Sequence, residues 1–120
     1  MNLEDLREFC LSFTGAEEGL PFDDNTLVFF VKKKMFCLVN IFDCQYITLK
    51  CAPDKAIELR ELYQEVTPGY YMNKKHWNSV RIDSMLSDQL IKEWITDSYN
   101  LVIERLPKKL RQELSLENPN

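Results

Sequence analysis

Two apolar runs separated by three lysines limit what this chain can fold into. The runs are LVFFV (27–31) and MFCLV (35–39), and Lys32, Lys33 and Lys34 stand between them. This pattern predicts a hairpin of two β-strands with the lysines at its turn. A strand with one solvated face alternates apolar and polar residues, and neither run does. We therefore expect both faces of the hairpin to be covered, by helices, by a second layer or by another subunit.

The rest of the chain predicts an α+β domain with an antiparallel sheet. Amphipathic spacing, turn residues and capping signals give the order helix, three strands, helix, two strands, helix. This single domain covers residues 1–111, and the polar segment 112–120 is expected to be a frayed tail. The predicted elements are a helix at 3–13, strands at 26–31, 35–42 and 45–51, a helix from Pro53 to the turn Thr67-Pro68-Gly69, a strand pair within 70–83 whose clearer member is 77–82, and a helix from the N-cap Ser87 to Pro107.

The charge of the chain is acidic overall but unevenly distributed. Its 120 residues, enough for one domain, contain 15 Lys and Arg against 19 Asp and Glu, a formal net charge of −4. This total argues mildly against a nucleic-acid partner, because proteins that bind nucleic acids are usually basic. However, residues 1–31 hold seven acids and one Arg, whereas 32–50 and 70–86 each carry an excess of bases. Two local basic segments therefore remain.

Motifs for catalysis, metal binding or cofactor binding are scarce. No glycine-rich phosphate loop or paired-histidine motif occurs, and His76 is the single histidine. The four cysteines are spaced 27, 7 and 7 residues apart, which indicates reduced thiols and not a zinc site. The acidic pairs Glu17-Glu18 and Asp23-Asp24 could hold a hard cation, but a solvated loop, with Asp23 or Asp24 orienting the next strand, is the simpler interpretation. We expect a non-enzymatic protein without cofactor or metal.

The hydropathy of the chain indicates no membrane partner. No apolar run approaches the roughly 20 residues that a bilayer requires. Together with the reduced cysteines, this predicts a cytoplasmic protein.

Residues 68–78 (PGYYMNKKHWN) interleave cations with aromatic side chains. Ammonium groups neutralise phosphates, flat rings stack on bases, and the amides of Asn73 and Asn78 could read base edges. The structural interpretation is equally concrete: Trp77 and one Tyr anchor the core, the Asn residues fix a tight loop, and the lysines are solvated. One short basic run by itself favours the structural interpretation.

The lysine turn shifts this balance towards binding. Three adjacent like charges oppose folding slightly unless an anion compensates them, and hairpin tips are the elements that β-ribbon proteins insert into DNA grooves. Lysine at a hairpin also keeps strand edges from aggregating. The two basic segments form one surface only if they share a face. The candidate nucleic-acid contacts are Lys32, Lys33, Lys34, Asn73, Lys74, Lys75, His76, Trp77 and Arg81.

Five segments together resemble one family. They are LPFDD (20–24), KMFCL (34–38), LKCAPDKAIELRELY (49–63), PGYYMNKKHWNSV (68–80) and SYNLVIERLPKK (98–109). In this order they are similar to the MmcQ/YjbR family of small bacterial proteins over residues 1–111. The resemblance implies the element order given above, in a shape similar to the frataxin homologue and to secretion chaperones. It also implies DNA binding through a double-wing arrangement.

Carried over by position, the resemblance makes residues 32–34 a wing and residues 73–77 the motif loop, whereas Tyr71 stands where many members have His. The leading hypothesis is a non-enzymatic DNA-binding module of low sequence specificity. The alternative is a protein-interaction adaptor or dimeric chaperone-like domain that uses its apolar sheet, with a second copy or another protein as partner. A third, weaker hypothesis is a small-molecule pocket beneath the loop 68–77.

Overall fold

The computed structural model describes residues 1–69 and 72–117 and has an α+β fold. The predicted fold class and antiparallel sheet are confirmed, and β1 and α4 are additional to the predicted elements. Among the helices in the described ranges, none combines the length and the apolar character needed to cross a bilayer. In chain order the elements are α1 (Leu3–Leu11), β1 (Ala16–Gly19), β2 (Thr26–Val31), β3 (Lys34–Asn40), β4 (Tyr46–Lys50), α2 (Pro53–Leu62), β5 (Val66–Pro68), β6 (Trp77–Arg81), α3 (Asp88–Glu104) and α4 (Lys108–Glu117).

One antiparallel sheet contains these six strands in the order β1-β2-β3-β4-β6-β5. Because neighbouring strands run in opposite directions, the β2–β3 turn, the carboxyl end of β4 and the β5–β6 loop all reach the same end of the sheet. The β1–β2 loop, the β3–β4 loop and the carboxyl end of β6 lie at the other end. The strand order therefore decides which charged loops can act together.

The predicted hairpin is confirmed, with a turn of two residues, Lys32 and Lys33. Both have positive φ, +48° and +67°, and Val31 pairs with Lys34. Two successive left-handed residues are the geometry of a type I′ turn, whose twist matches the twist of the flanking strands. Lys34 is consequently the first residue of β3 and not part of the turn.

Both faces of the β2–β3 hairpin are covered, as its non-alternating sequence predicts. On one face, α1 and α3 contribute to the main core around the fully buried Phe29 and Phe36. On the other face, a smaller cluster joins Val28 and Leu38 to Trp77. Trp77 directly follows the β5–β6 loop, so this second face is covered from within the chain.

Helix ends follow the predicted capping signals. Pro53 stands at the start of α2, where a missing N–H breaks no helical hydrogen bond. Ser87 is the N-cap of α3, and its hydroxyl accepts the N–H of Leu90 at 3.1 Å. The helix ends at Glu104, ahead of Pro107, as predicted.

Two segments that the sequence predicts as loop or turn form edge strands. Residues Ala16–Gly19 pair with β2, and Val66–Pro68, predicted to be a turn, pair with β6. Of the strand pair predicted within 70–83, the second strand is observed as β6, but the strand that pairs with it, β5, lies before residue 70. Pro68 is tolerated because β5 is an edge strand, where an absent N–H interrupts no ladder.

The prediction of a frayed tail is wrong for residues 112–117. These residues belong to α4, whose Leu114 is buried beside Gly15. Gly15 has a φ of +73°, and a Cβ at this position would lie 2.5 Å from the Leu114 side chain, so the close approach requires glycine. Residues 118–120, the rest of the predicted tail, lie outside the described residues.

Candidate nucleic-acid interface

Both lysine segments lie at the same end of the sheet. Lys33 and Lys34 stand at the β2–β3 turn, and Lys74 and Lys75 stand in the β5–β6 loop. The middle of the β2–β3 hairpin is three strand spacings away from the middle of the β5–β6 hairpin. Because neighbouring strands are about 4.8 Å apart, the two hairpins are separated by about 14 Å. Lys50, the last residue of β4, lies between them. We call these five lysines the basic end.

Lys32 turns away from the other lysines of the hairpin. Its ammonium lies 3.3 Å from the carboxylate of Glu113 and 3.4 Å from that of Glu117, both on α4. Hydrogen bonds to these carboxylates raise the pKa of Lys32. By contrast, Lys33 and Lys34 are exposed and have no ion-pair partner in the part of the chain that the structure describes. Two of these three consecutive lysines therefore remain available to an anion.

Asn73 builds the β5–β6 loop. Its side-chain Oδ1 accepts the N–H of Lys75 at 2.8 Å, and its carbonyl accepts the N–H of His76 at 3.2 Å. The Arg60 guanidinium on α2 donates to the carbonyl of Lys74. These bonds fix the backbone while the ammonium groups of Lys74 and Lys75 stay exposed. The structural interpretation therefore holds for the asparagine.

Asn78 is also structural. It is 2% exposed; its Oδ1 accepts Nε–H of Arg60 at 2.7 Å, and its Nδ2 donates to the carbonyl of Ala56 at 3.3 Å. The amide therefore connects β6 to α2 and cannot reach a base edge. The two candidate stacking residues Tyr70 and Tyr71 lie outside the described residues.

Trp77 and His76 face the protein. Trp77 is 7% exposed and packs against Val28 and Leu38, which leaves little of its ring for stacking on a base. The His76 carbonyl accepts the N–H of Cys51 at 2.8 Å, and its buried Nδ1 has no hydrogen-bond partner among the described residues. Both residues hold the loop on the sheet.

Sequence reasoning missed Lys50. Its ammonium lies 5.9 Å from the centre of the Trp77 ring. Burial, and then repulsion from Arg105 and Lys34, lower the pKa of Lys50. The positive charges around the carboxyl end of β4 thus repel one another. A lysine ending a predicted strand is visible in the sequence, but its place between the two hairpins follows only from the strand order.

Arg81 lies far from the two lysine segments. It ends β6 at the opposite end of the sheet, where its Nε lies 2.7 Å from the Asp83 carboxylate. Its guanidinium also lies 5.7 Å from the centre of the Tyr46 ring. Of the predicted contacts, Arg81 therefore lies far from the basic end, whereas Lys32 lies at that end but is already paired with carboxylates.

The acidic pairs near the start of the chain do not form one cluster. Asp23 accepts the N–H groups of Asn25 and Thr26 at 2.8 and 2.7 Å, which lowers the pKa of Asp23 and orients the start of β2, as predicted. Glu18 instead pairs with Arg7 on α1. Within residues 1–69 and 72–117, no three His, Cys, Asp or Glu side chains are grouped to hold a metal ion.

The four cysteines are free thiols. Cys10 and Cys37 are fully buried and belong to the main core. Burial raises the pKa of Cys37. Cys44 and Cys51 are partly exposed.

The fold and the charge distribution define a class of protein, a small α+β domain whose single sheet carries two lysine-bearing hairpins at one end. The sequence model of the YjbR family matches residues 11–101. The chain belongs to the YjbR family, which confirms the resemblance.

Relatives and solved structures agree with this assignment. The Escherichia coli O157:H7 protein YbdF is 35% identical over 107 residues, which cover 88% of each chain. The Escherichia coli K12 protein YjbR is 29% identical over 115 residues, 95% of this chain and 98% of the relative. Both are named as uncharacterized proteins.

Two solved structures share the fold. The crystal structure of Deinococcus radiodurans protein DR2400, described as a DUF419 domain, superposes with a TM-score of 0.89 at 38% identity and covers 95% of this chain and 88% of its own. A Pseudomonas syringae protein superposes with a TM-score of 0.71 at 24% identity over 84% of this chain and 98% of its own. The second likeness concerns the fold alone.

Proposed function

We propose that the protein is a DNA-binding module of low sequence specificity that contacts the duplex with its basic end. The observation that carries the proposal is the position of the two lysine-bearing hairpins, which share one end of the sheet with Lys50 between them. The separation of the hairpins, about 14 Å, is close to the width of the major groove, about 12 Å. Two such wings can contact phosphates on both sides of a groove.

The electrostatics of the basic end support an anionic partner. Lys33, Lys34, Lys74 and Lys75 have no carboxylate partner among the described residues. Burial lowers the pKa of Lys50, and repulsion from Arg105 and Lys34 lowers it further. Phosphates bound at this end would relieve that repulsion and release condensed counterions from the DNA.

Low specificity follows from the groups that remain available. Base reading needs side chains with paired donors and acceptors, and both Asn73 and Asn78 are occupied by bonds within the protein. Trp77 is buried, so it does not stack on bases. The remaining lysines are suited to phosphates, which carry no sequence information.

The proposal includes a non-enzymatic protein in the bacterial cytoplasm. Four free thiols suit a reducing compartment, where the DNA of a bacterium also lies. The alternative adaptor or dimer hypothesis rested on apolar strands that needed a cover. Val28 and Leu38 obtain that cover from Trp77 of the same chain, so this observation no longer calls for a second subunit.

Fluorescence anisotropy with a labelled duplex at several salt concentrations tests the proposal. Up to five phosphate contacts predict a slope of log K against log salt of about −4.5. K74Q/K75Q and K33Q/K34Q should each reduce the magnitude of this slope by about 2. The matched control is R81Q/K92Q, which also removes two positive charges, with Arg81 at the other end of the sheet and Lys92 in the first half of α3.

The outcomes separate the basic end from a general charge effect. Retention of the wild-type slope in R81Q/K92Q, together with its reduction in both hairpin variants, supports the proposal. Absence of binding at micromolar protein and low salt refutes it. Equal losses in all three variants also refute it, because net charge would then explain the binding.

A further inference from the structure

A cavity on the helical face of the sheet is not used by the proposed DNA contact. It has a volume of about 350 Å³ and lies between β4, α2 and α3. Leu59, Val80 and Trp94 give it apolar walls. Small-molecule sites in proteins typically have about 300–1,000 Å³ and mostly apolar walls with a few polar groups. The cavity lies across the sheet from the Trp77 side chain, and so it differs from the pocket predicted beneath the loop 68–77.

The rim of this cavity separates positive from negative charge. Lys55 borders it from α2, whereas Asp97 and Glu104 border it from α3. Lys50 also lines the cavity, but its ammonium lies over the Trp77 ring on the other face of the sheet. None of the three rim side chains, Lys55, Asp97 and Glu104, forms an ion pair with another described residue. The opposite charges therefore face each other across the opening without closing it.

Lys55 and Asp97 interact across this opening. Burial and repulsion from Glu93 raise the pKa of Asp97, and attraction by Lys55 opposes them. Asn100, which also lines the cavity on α3, adds an uncharged donor and acceptor to the acidic side. A ligand that fits must present an apolar body to the walls, an anionic group to Lys55 and a cationic group to the carboxylates.

We propose that the cavity binds a small zwitterion with an apolar body, the chemical class of an apolar α-amino acid. The carboxylate of the ligand pairs with Lys55 and its ammonium pairs with Asp97. The apolar side chain enters the space between Leu59 and Trp94. This site is independent of DNA binding, because its charged groups, Lys55 and Asp97, do not belong to the basic end.

The test uses L-phenylalanine and two analogues that each lack one charge. Phenethylamine lacks the carboxylate, and 3-phenylpropionate lacks the ammonium. Affinities are measured by calorimetry, and the position of binding is measured by the rate at which iodoacetamide alkylates Cys51, which lines the cavity. Cys44, a partly exposed thiol in the β3–β4 loop at the other end of the sheet, is the internal reference.

L-phenylalanine should slow the alkylation of Cys51 and leave that of Cys44 unchanged. Each analogue should bind at least about tenfold more weakly, because it loses one charge-assisted contact. K55Q should remove the preference over phenethylamine, and D97N should remove the preference over 3-phenylpropionate. K92Q, which alters another exposed residue of α3 outside the cavity, should change neither preference.

Three results would overturn the proposal. The first is no protection of Cys51 by L-phenylalanine up to about 10 mM, beyond the range of a weak specific site. The second is equal affinity for all three compounds, which would remove the role of the charged rim. The third is equal slowing of both thiols, which would place the effect outside the cavity. Circular dichroism of each variant confirms that it is folded before it is compared.

Discussion

Replacing Ser98 by alanine should destabilise the protein strongly for the loss of one hydroxyl group. Ser98 is fully buried on α3. Its hydroxyl donates to the carbonyl of Phe36 at 2.6 Å and accepts the N–H of Lys50 at 2.9 Å. The pairing of β3 with β4 ends at Cys37 opposite Leu49. One residue further on, the Ser98 hydroxyl bridges the backbone groups of Phe36 and Lys50.

Ser98→Ala leaves these two backbone groups without the partner that they share. An unsatisfied buried polar group costs about 1–3 kcal/mol, so two groups with partial relaxation should cost about 2–4 kcal/mol. For a domain of this size, that corresponds to a decrease in Tm of about 10 °C. Guanidinium unfolding followed by circular dichroism measures the loss, and hydrogen exchange at the Lys50 amide should accelerate.

Thr96→Ala is the matched control on the same helix. The Thr96 hydroxyl donates to the carbonyl of Lys92 at 2.8 Å, within α3. Its removal exposes no buried backbone group, and we expect a change within about 0.5 kcal/mol. If Ser98→Ala also stays within that range, the hydroxyl does not hold the strand ends together and the reasoning is refuted.

Three further predictions concern other parts of the fold. Gly15→Ala should cost about 1–3 kcal/mol in chemical unfolding, because the residue has a φ of +73° and the new Cβ would meet Leu114; an unchanged midpoint would contradict that contact. Glu18 has a pKa lowered by the hydrogen bond from Arg7, so it stabilises the fold above the ordinary glutamate pKa of about 4.3, and this contribution is lost as the pH falls through the lowered native value. Glu18→Gln should therefore lose less stability on acidification, and parallel curves for the two proteins would contradict this. Trp77→Ala should cost about 3–5 kcal/mol because the ring is a core residue; a stable variant with weakened DNA binding would show that the ring acts on the ligand instead.

The elements that were predicted correctly carry strong local signals. Strand β2 is predicted with its observed bounds, Thr26–Val31, because its β-branched and aromatic residues are continuous and the lysine turn follows at once. Pro53 and Ser87 mark the starts of α2 and α3 because each satisfies a local requirement of a helix N-terminus. These features need no knowledge of distant residues.

The elements that were missed depend on tertiary contacts. Strand β1, with the sequence AEEG, has little strand propensity and forms by pairing with the edge of β2. Helix α4 is mostly polar, and Leu114, which lies beside Gly15, is its buried residue. The spacing of Leu110 and Leu114 by four residues, directly after Pro107, was a weak local signal for a helix.

The same limit applies to the candidate interface. The two lysine segments could be found from the sequence, but one of the partners of Lys32, Glu117, is 85 residues away along the chain. The central position of Lys50 required the strand order β3-β4-β6. Composition therefore identified where positive charge occurs, and only the fold showed which of the charges are already neutralised.

The net charge of −4 does not by itself decide against an anionic partner. Interactions between exposed charges are largely screened beyond about 8 Å at physiological ionic strength, whereas the molecule extends over 39 Å along its longest axis. Asp23 and Asp24 lie in the β1–β2 loop, at the other end of the sheet from the lysine-bearing hairpins. A DNA strand at the basic end would therefore experience mainly the charges of that end. At a lower salt concentration, the repulsion between the DNA and the distant carboxylates also acts over a longer range. The gain in affinity at low ionic strength should therefore be smaller than the lysines alone would give.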